Sequence, residues 1–184
     1  ELRAILPDLT ASARLIRERL GEVQFVLARA PNLDDSLFSS VLTLKRAGVP
    51  LHIVEGRADD VLAAADVVVT ASGTATVQAA IHQRPMVIVY RLSALTYWLV
   101  KTFSHVENAG MVNLIAGQQI VPELLQETFT PSAVAAEVAK FLTDSAATDR
   151  TIDALAGVRS KLGTAGASRR TAERVMAFAK RGNA

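Results

Sequence analysis

Apolar positions recur along the chain with a period that switches repeatedly between helix and strand. Within residues 6–20, Leu9, Ala13, Ile16 and Leu20 fall on one side of a helix, which Gly21 ends. Residues 23–28 form a short β-rich run. Asp34 and Ser36 are capping residues for a helix that runs to Arg46 and stops at Gly48. Residues 51–55 read as a strand, 59–65 as a brief helix and 66–70 as a buried strand. A helix over 73–83 follows, Pro85 opens a strand over 86–90, and 94–103 is an apolar helix. After Pro131 the pattern is helical alone. Ser132 caps a helix to Leu142, Thr151 begins another to Leu162, Gly163 and Gly166 interrupt, and Ser168 starts the last, which ends near Lys180.

Strands alternating with helices at this spacing predict an α/β fold: a doubly wound parallel sheet with helices on both faces, followed by C-terminal helices. The runs 67–69 and 87–89 are apolar without interruption, as strands buried on both faces are. No repeat, low-complexity stretch or clear linker divides the chain, so residues 1–184 read as one domain. One feature departs from the type. A doubly wound nucleotide-binding sheet begins with a central strand and a glycine-rich turn, and this chain opens directly on a helix. Either the sheet is built differently or the chain is a fragment.

Composition narrows the function classes. Half of the 184 residues are hydrophobic and the net charge is only +2, which excludes disorder. The absence of cysteine excludes a disulfide scaffold and a thiolate metal site, and three scattered histidines form no metal-ligand spacing. The opening residues do not read as a signal peptide, and no apolar run reaches the roughly 20 residues of a bilayer span. A soluble, cytoplasmic-type domain is expected, with no metal and no cofactor. The small net charge hides an asymmetry: from Arg150 onward eight basic residues face only Asp153 and Glu173, giving +6, against −4 for the rest. A basic tail suits an anionic surface or phosphate, and equally a solvated helical face.

Candidate chemistry concentrates where strands end. The turn Thr70-Ala71-Ser72-Gly73-Thr74-Ala75-Thr76 joins a buried strand to a helix. Backbone N–H groups at a helix N-terminus are unpaired and sit at the positive end of the dipole, so they suit a diphosphate. Gly73 permits close approach, and Ser72, Thr74 and Thr76 add hydroxyls; the same residues also serve as an ordinary helix cap. Gln78, one turn on, is placed to meet a ribose or only solvent. Arg91 ends a strand where open α/β sheets hold ligands. Asn113, Glu123 and Gln126 are polar groups among apolar neighbours; a helix through 123–126 would put Glu123 and Gln126 on one side, and a capping and turn role competes. The Trp98 stretch is apolar with a basic edge, suiting a buried helix or a membrane surface. Of the histidines, His52 reads as filling space in a strand, His82 as exposed, and His105, beside Glu107, as an acid/base candidate.

Together these stretches resemble the bacterial lipid-A-disaccharide synthase family. The residues that carry the likeness are Thr70 to Thr76, Pro85-Met86-Val87 through Tyr90-Arg91, Leu95-Thr96-Tyr97-Trp98-Leu99, Asn113-Leu114-Ile115-Ala116-Gly117, Val121-Pro122-Glu123-Leu124-Leu125-Gln126 and Gly166-Ala167-Ser168. The resemblance implies one Rossmann-like half of a GT-B glycosyltransferase, the C-terminal, donor-binding half, with its first strand missing. It implies transfer of 2,3-diacylglucosamine from UDP to a lipid monosaccharide 1-phosphate, giving a β-1,6-linked disaccharide precursor of lipid A. The expected setting is the cytoplasmic face of the inner membrane of a Gram-negative bacterium. The expected partners are the UDP-linked donor, the lipid acceptor, the membrane surface and a second copy in a homodimer, with no nucleic acid. Ser72, Gly73, Thr74, Ala75, Thr76, Gln78, Arg91, Asn113, Glu123 and Gln126 become the expected UDP-sugar residues, the catalytic group being expected in the absent N-terminal half, so the fragment alone should be inactive. Gln78 departs from the glutamate usual in the family, which removes a charge-assisted bond to ribose of roughly 1 kcal/mol. Alternatives are another UDP-sugar glycosyltransferase, a UDP-sugar 2-epimerase, or, in a different class, a non-enzymatic anionic-surface or nucleic-acid-binding module.

Overall fold

The computed structural model describes residues 2–91, 110–164 and 166–181. The expected helix over 94–103, with Trp98, and the His105 loop lie outside the described residues. In chain order the elements are α1 (Leu2–Leu20), β1 (Phe25–Arg29), a 3-10 turn (Asp35–Phe38), α2 (Ser39–Arg46), β2 (Leu51–Glu55), α3 (Ala58–Ala64), β3 (Val68–Ala71), α4 (Thr74–Ile81) and β4 (Met86–Tyr90). Then come α5 (Met111–Ala116), β5 (Glu123–Leu125), a second 3-10 turn (Gln126–Thr128), α6 (Pro131–Thr143), α7 (Ser145–Lys161) and α8 (Ala167–Arg181).

Among the described residues all strand pairs are parallel. β1 pairs with β2, and β4 stands between β3 and β5. Alternation along β4 separates the two sides of the sheet. Val87 and Val89 pack with Ile5 and Ile16 of α1 and with Val134, Val138 and Phe141 of α6. Met86 and Ile88 pack with Leu62 of α3, Ala79 and Ala80 of α4, Val112 of α5, and Leu155 and Val158 of α7. On the first side α1 also covers β1 and β2, together with Val41 and Leu44 of α2. Helices therefore line both faces, and the winding reverses between β2 and β3, as in a doubly wound sheet.

Between β1 and β3 there is no ladder. A cavity of about 950 Å³ occupies the gap, lined by Phe25, Val26 and Leu27 of β1 on one side and by Val69 of β3 and the preceding Val67 on the other. Val26 is 50% exposed, far from the burial that a strand between two helical layers acquires. A parallel strand in this gap would complete the order in which the first strand is central. The gap is an apolar slot about as wide as the missing ladder partner of β1 and β3.

Several boundaries differ from expectation for identifiable reasons. The first helix starts at Leu2 rather than Leu6, because buried Ile5 and Leu6 extend its apolar face across Pro7. Ser36 does not cap a helix; its N–H is capped by Asp34 (2.7 Å) and opens the 3-10 turn before α2. The Ser36 side chain and N–H hold the Asp34 carboxyl below its usual range. The cap of α6 is Thr130, bonded to Ala133 N, with Pro131 at the first position, not Ser132. α7 begins at Ser145, capped by Asp144, rather than at Thr151; its first turn is anchored by the small buried Ala147. Residues 123–126 are not helical: Glu123 to Leu125 extend the sheet beside β4, and Gln126 follows with φ +50°.

In hydrogen–deuterium exchange, the β4 amides are expected to be the slowest of the sheet, since β4 is flanked on both edges and both faces. Those of β1 and β3 should exchange faster at the edges lining the slot. Equal protection of β3 and β4 would mean that the gap is closed in solution.

Candidate functional site

The β3–α4 turn lies where β3 and β4 end together. Ser72 N donates to Val89 O (3.2 Å), so the ladder runs one residue past β3 before the chain turns. Gly73, the N-cap of α4, has φ +148° and ψ −162°, a conformation that residues with a Cβ hardly reach. A Cβ built there would meet no atom within 4 Å, so the backbone at this point faces open space. Thr74 is exposed and Ala75 half-buried. Thr76 is different: it is 0% exposed, and both its N–H and its hydroxyl return to Gly73 O, at 3.1 and 2.7 Å. Its hydroxyl shapes the turn from inside. The fully buried Ala79 and Ala80 have no bulk to hold α4 off β4, which fixes the helix start at the strand ends. Gln78 is exposed, one turn into α4.

Arg91 follows β4 at the same edge, and its guanidinium is engaged by protein. It pairs with Asp8 of α1 (2.8 Å), donates to Phe129 O (3.1 Å) and lies over the Phe129 ring at 5.1 Å. It thereby ties α1 to the segment after β5.

The third group centres on Asn113, which is 0% exposed. Its Nδ2 donates to Val121 O (2.9 Å) and Glu123 Oε1 (2.7 Å), and its Oδ1 accepts from Ile120 N (2.9 Å) and Val121 N (3.1 Å). Glu123 Oε1 also accepts from Gly110 N at 3.0 Å. Asn113 was expected to line a ligand pocket; complete burial and a fully used amide leave it no surface to offer a ligand. Glu123 sits in the row Thr70–Ile88–Glu123 across the sheet, one pleat below the strand ends. Gln126 lies at the end of β5, half-buried. Sequence reasoning missed α5 and the role of Gly110, whose Cβ would fall 2.5 Å from Ile88 Cδ1 and 2.9 Å from Glu123 Oε1. A lone glycine before a six-residue helix carries no signal in one sequence.

The sheet edge therefore brings together the Ser72–Ala75 turn, Arg91 and Gln126, while Thr76 and Asn113 act from beneath. Among the other groups, His52 is exposed rather than filling space, and His82 is half-buried and paired with Asp59 (2.8 Å). No group of three or more metal-ligating side chains occurs among the described residues. In the last helix, α8, every residue from Ala167 to Ala179 is exposed, including Val175, Met176 and Phe178.

Comparison with known proteins agrees with the residues that carry the resemblance. The family model for lipid-A-disaccharide synthetase matches residues 1–174. The lipid-A-disaccharide synthase of Myxococcus xanthus is 41% identical over 177 residues, covering 96% of this chain and 45% of the relative. That of Anaeromyxobacter dehalogenans is 39% identical over 176 residues (96% and 46%), and that of Geobacter sulfurreducens 37% over 172 (94% and 44%). The chain spans about half the length of the curated relatives it matches. A match of this extent and identity, over an α/β fold of parallel strands, means that the chain belongs to the lipid-A-disaccharide synthase family.

Proposed function

We propose that this chain is the UDP-sugar-binding half of a lipid-A-disaccharide synthase, and that the start of α4 seats the donor's diphosphate. One observation carries the reading. The backbone at Gly73 opens on empty space at the carboxyl edge of the strands, at the head of a helix, in a chain belonging to this family. The N–H groups that follow Gly73 would take the non-bridging phosphate oxygens, with Thr74 adding its hydroxyl. Negative charge grows on the diphosphate as the sugar leaves. Fixed dipoles aimed at it stabilise that transition state without reorganising. The exposed Gln78 would face the ribose, and Gln126 the nucleotide sugar. Arg91, held by Asp8 and Phe129, acts on the site as a brace and as a nearby positive charge.

In the full-length polypeptide the acceptor would be a lipid monosaccharide 1-phosphate and the product a β-1,6-linked disaccharide. The acceptor would be held by the part of the enzyme beyond this chain, so the 184 residues alone should form no disaccharide. Contact with the inner-membrane surface falls to α8. Its basic residues Arg169, Arg170, Arg174, Lys180 and Arg181 oppose only Glu173, and the exposed Val175, Met176 and Phe178 supply apolar area, a combination suited to an anionic interface.

Three outcomes are expected of the full-length polypeptide. Gly73→Asp puts a carboxylate and a strained backbone at the seat, and calorimetric titration should show UDP affinity lowered by at least about tenfold. Unchanged affinity would remove the turn from the site. Gln78→Glu should tighten UDP by about fivefold through a charge-assisted bond to ribose, with no gain if residue 78 faces only solvent. Replacing Arg169, Arg170 and Arg174 by Gln should reduce co-sedimentation with vesicles containing phosphatidylglycerol. Undiminished binding would move the membrane contact elsewhere.

A further inference from the structure

Burying a carboxylate beside a central strand is costly unless donors compensate it. Glu123 is such a group: a half-buried glutamate in a sheet-forming segment, beside the fully buried Ile88. Two donors converge on one of its oxygens, Asn113 Nδ2 at 2.7 Å and Gly110 N at 3.0 Å. Both come from α5 or its first flanking residue. Asn113 is itself locked by the backbone of Ile120 and Val121 through the other half of its amide. The carboxylate is thus held from a rigid base, and Gly110 supplies the room, since a Cβ there would strike Glu123 and Ile88.

Rows across the sheet place this group relative to the diphosphate seat. Glu123 shares a row with Thr70, two residues before Ser72, and its neighbour Ile88 packs on the side covered by α4 and α5. β3 and β5 are two strand spacings apart, about 10 Å. That is the reach from a diphosphate to the hydroxyls of a hexose linked to it. A carboxylate accepts at up to four positions, so it can serve protein donors and sugar hydroxyls together.

We infer that Asn113 is a positioning residue: with Gly110 it holds the Glu123 carboxylate to receive hydroxyl groups of the donor's sugar. The inference rests on the proposed UDP-sugar reading and deepens it. Asn113 touches no ligand and acts through Glu123. Merely bracing the 120–121 backbone would require only its Oδ1 and one amide proton.

The test is a double-mutant cycle in the full-length enzyme, reading donor KM with UDP-2,3-diacylglucosamine and, separately, Tm. Glu123→Gln keeps an acceptor for Asn113 and Gly110, so Tm should hold while donor KM rises. Asn113→Ala should lower Tm in either background. Its effect on KM should be about tenfold in the parent and nearly absent beside Glu123→Gln, the non-additivity of residues acting through one group. Gly110→Ala leaves the Asn113 bonds to 120–121 in place; it should raise KM in the parent only and serves if Asn113→Ala fails to fold. Unchanged KM in Glu123→Gln, or equal KM effects of Asn113→Ala or Gly110→Ala in both backgrounds, would overturn the inference. UDP binding by Gly73→Asp is measured alongside. If it is weakened while the cycle is additive, only the role of Asn113 falls; if it is unchanged, the reading of the seat falls first.

Discussion

β4 is the constraint on which the rest depends. From Met86 to Val89 it is 0% exposed, enclosed by strands on both edges and by helices on both faces. Such burial is possible only for a strand without polar side chains, whose every backbone group is paired. Its alternation then dictates the layers: Val87 and Val89 collect α1 and α6, and Met86 and Ile88 collect α3, α4, α5 and α7. Where β4 ends, its neighbours end too. Ser72 N still bonds to Val89 O, Arg91 turns back to Asp8 and Phe129, and Tyr90 faces Leu125 in the register. The sheet edge that carries the candidate site is thus a consequence of one buried strand and its two partners.

The other half of the sheet depends on α1. Between β1 and β3 no hydrogen bonds form, and the two parts are joined on one side by α1, which packs on β1 and β2 through Leu6 and Ala13 and on β4 through Ile5 and Ile16. An apolar slot bounded by two unpaired strand edges is unfavourable for a domain in water. The half-exposed Val26 and the partly buried Val67 and Val69 are what such a slot leaves unsatisfied. The turn after β3 does not depend on the slot, because β3 takes its register from β4 on the opposite edge.

The fold was legible where one signal dominated. The strands over 51–55 and 86–90 are found at the residues expected, because short runs rich in Ile and Val that start after Pro50 and Pro85 admit few other readings. Alternating elements made the α/β class legible. Legibility failed where tertiary contacts outweigh local pattern. α5 has six residues and depends on Val112 and Asn113 being buried; α7 begins a turn and a half early because Ala147, a weak apolar signal, is buried. Glu123 and Gln126 read as a helical pair, but pairing with β4 draws 123–125 into the sheet.

The same contrast separates the two kinds of site residue. A turn that presents backbone N–H groups needs only the right shape, so its composition of Ser, Gly and Thr is visible in sequence. A carboxylate inside the sheet needs partners at fixed distances, and those partners were not legible. Asn113 reads as a ligand contact because it is polar among apolar residues; its burial and its bond to Glu123 turn it inward instead. Gly110 carried no signal, since the atom that matters is the Cβ it lacks. Gln78 falls between: it is exposed and can change without disturbing the fold, whereas Gly73 sits at a backbone conformation that favours glycine and the Asn113 group is built into the packing.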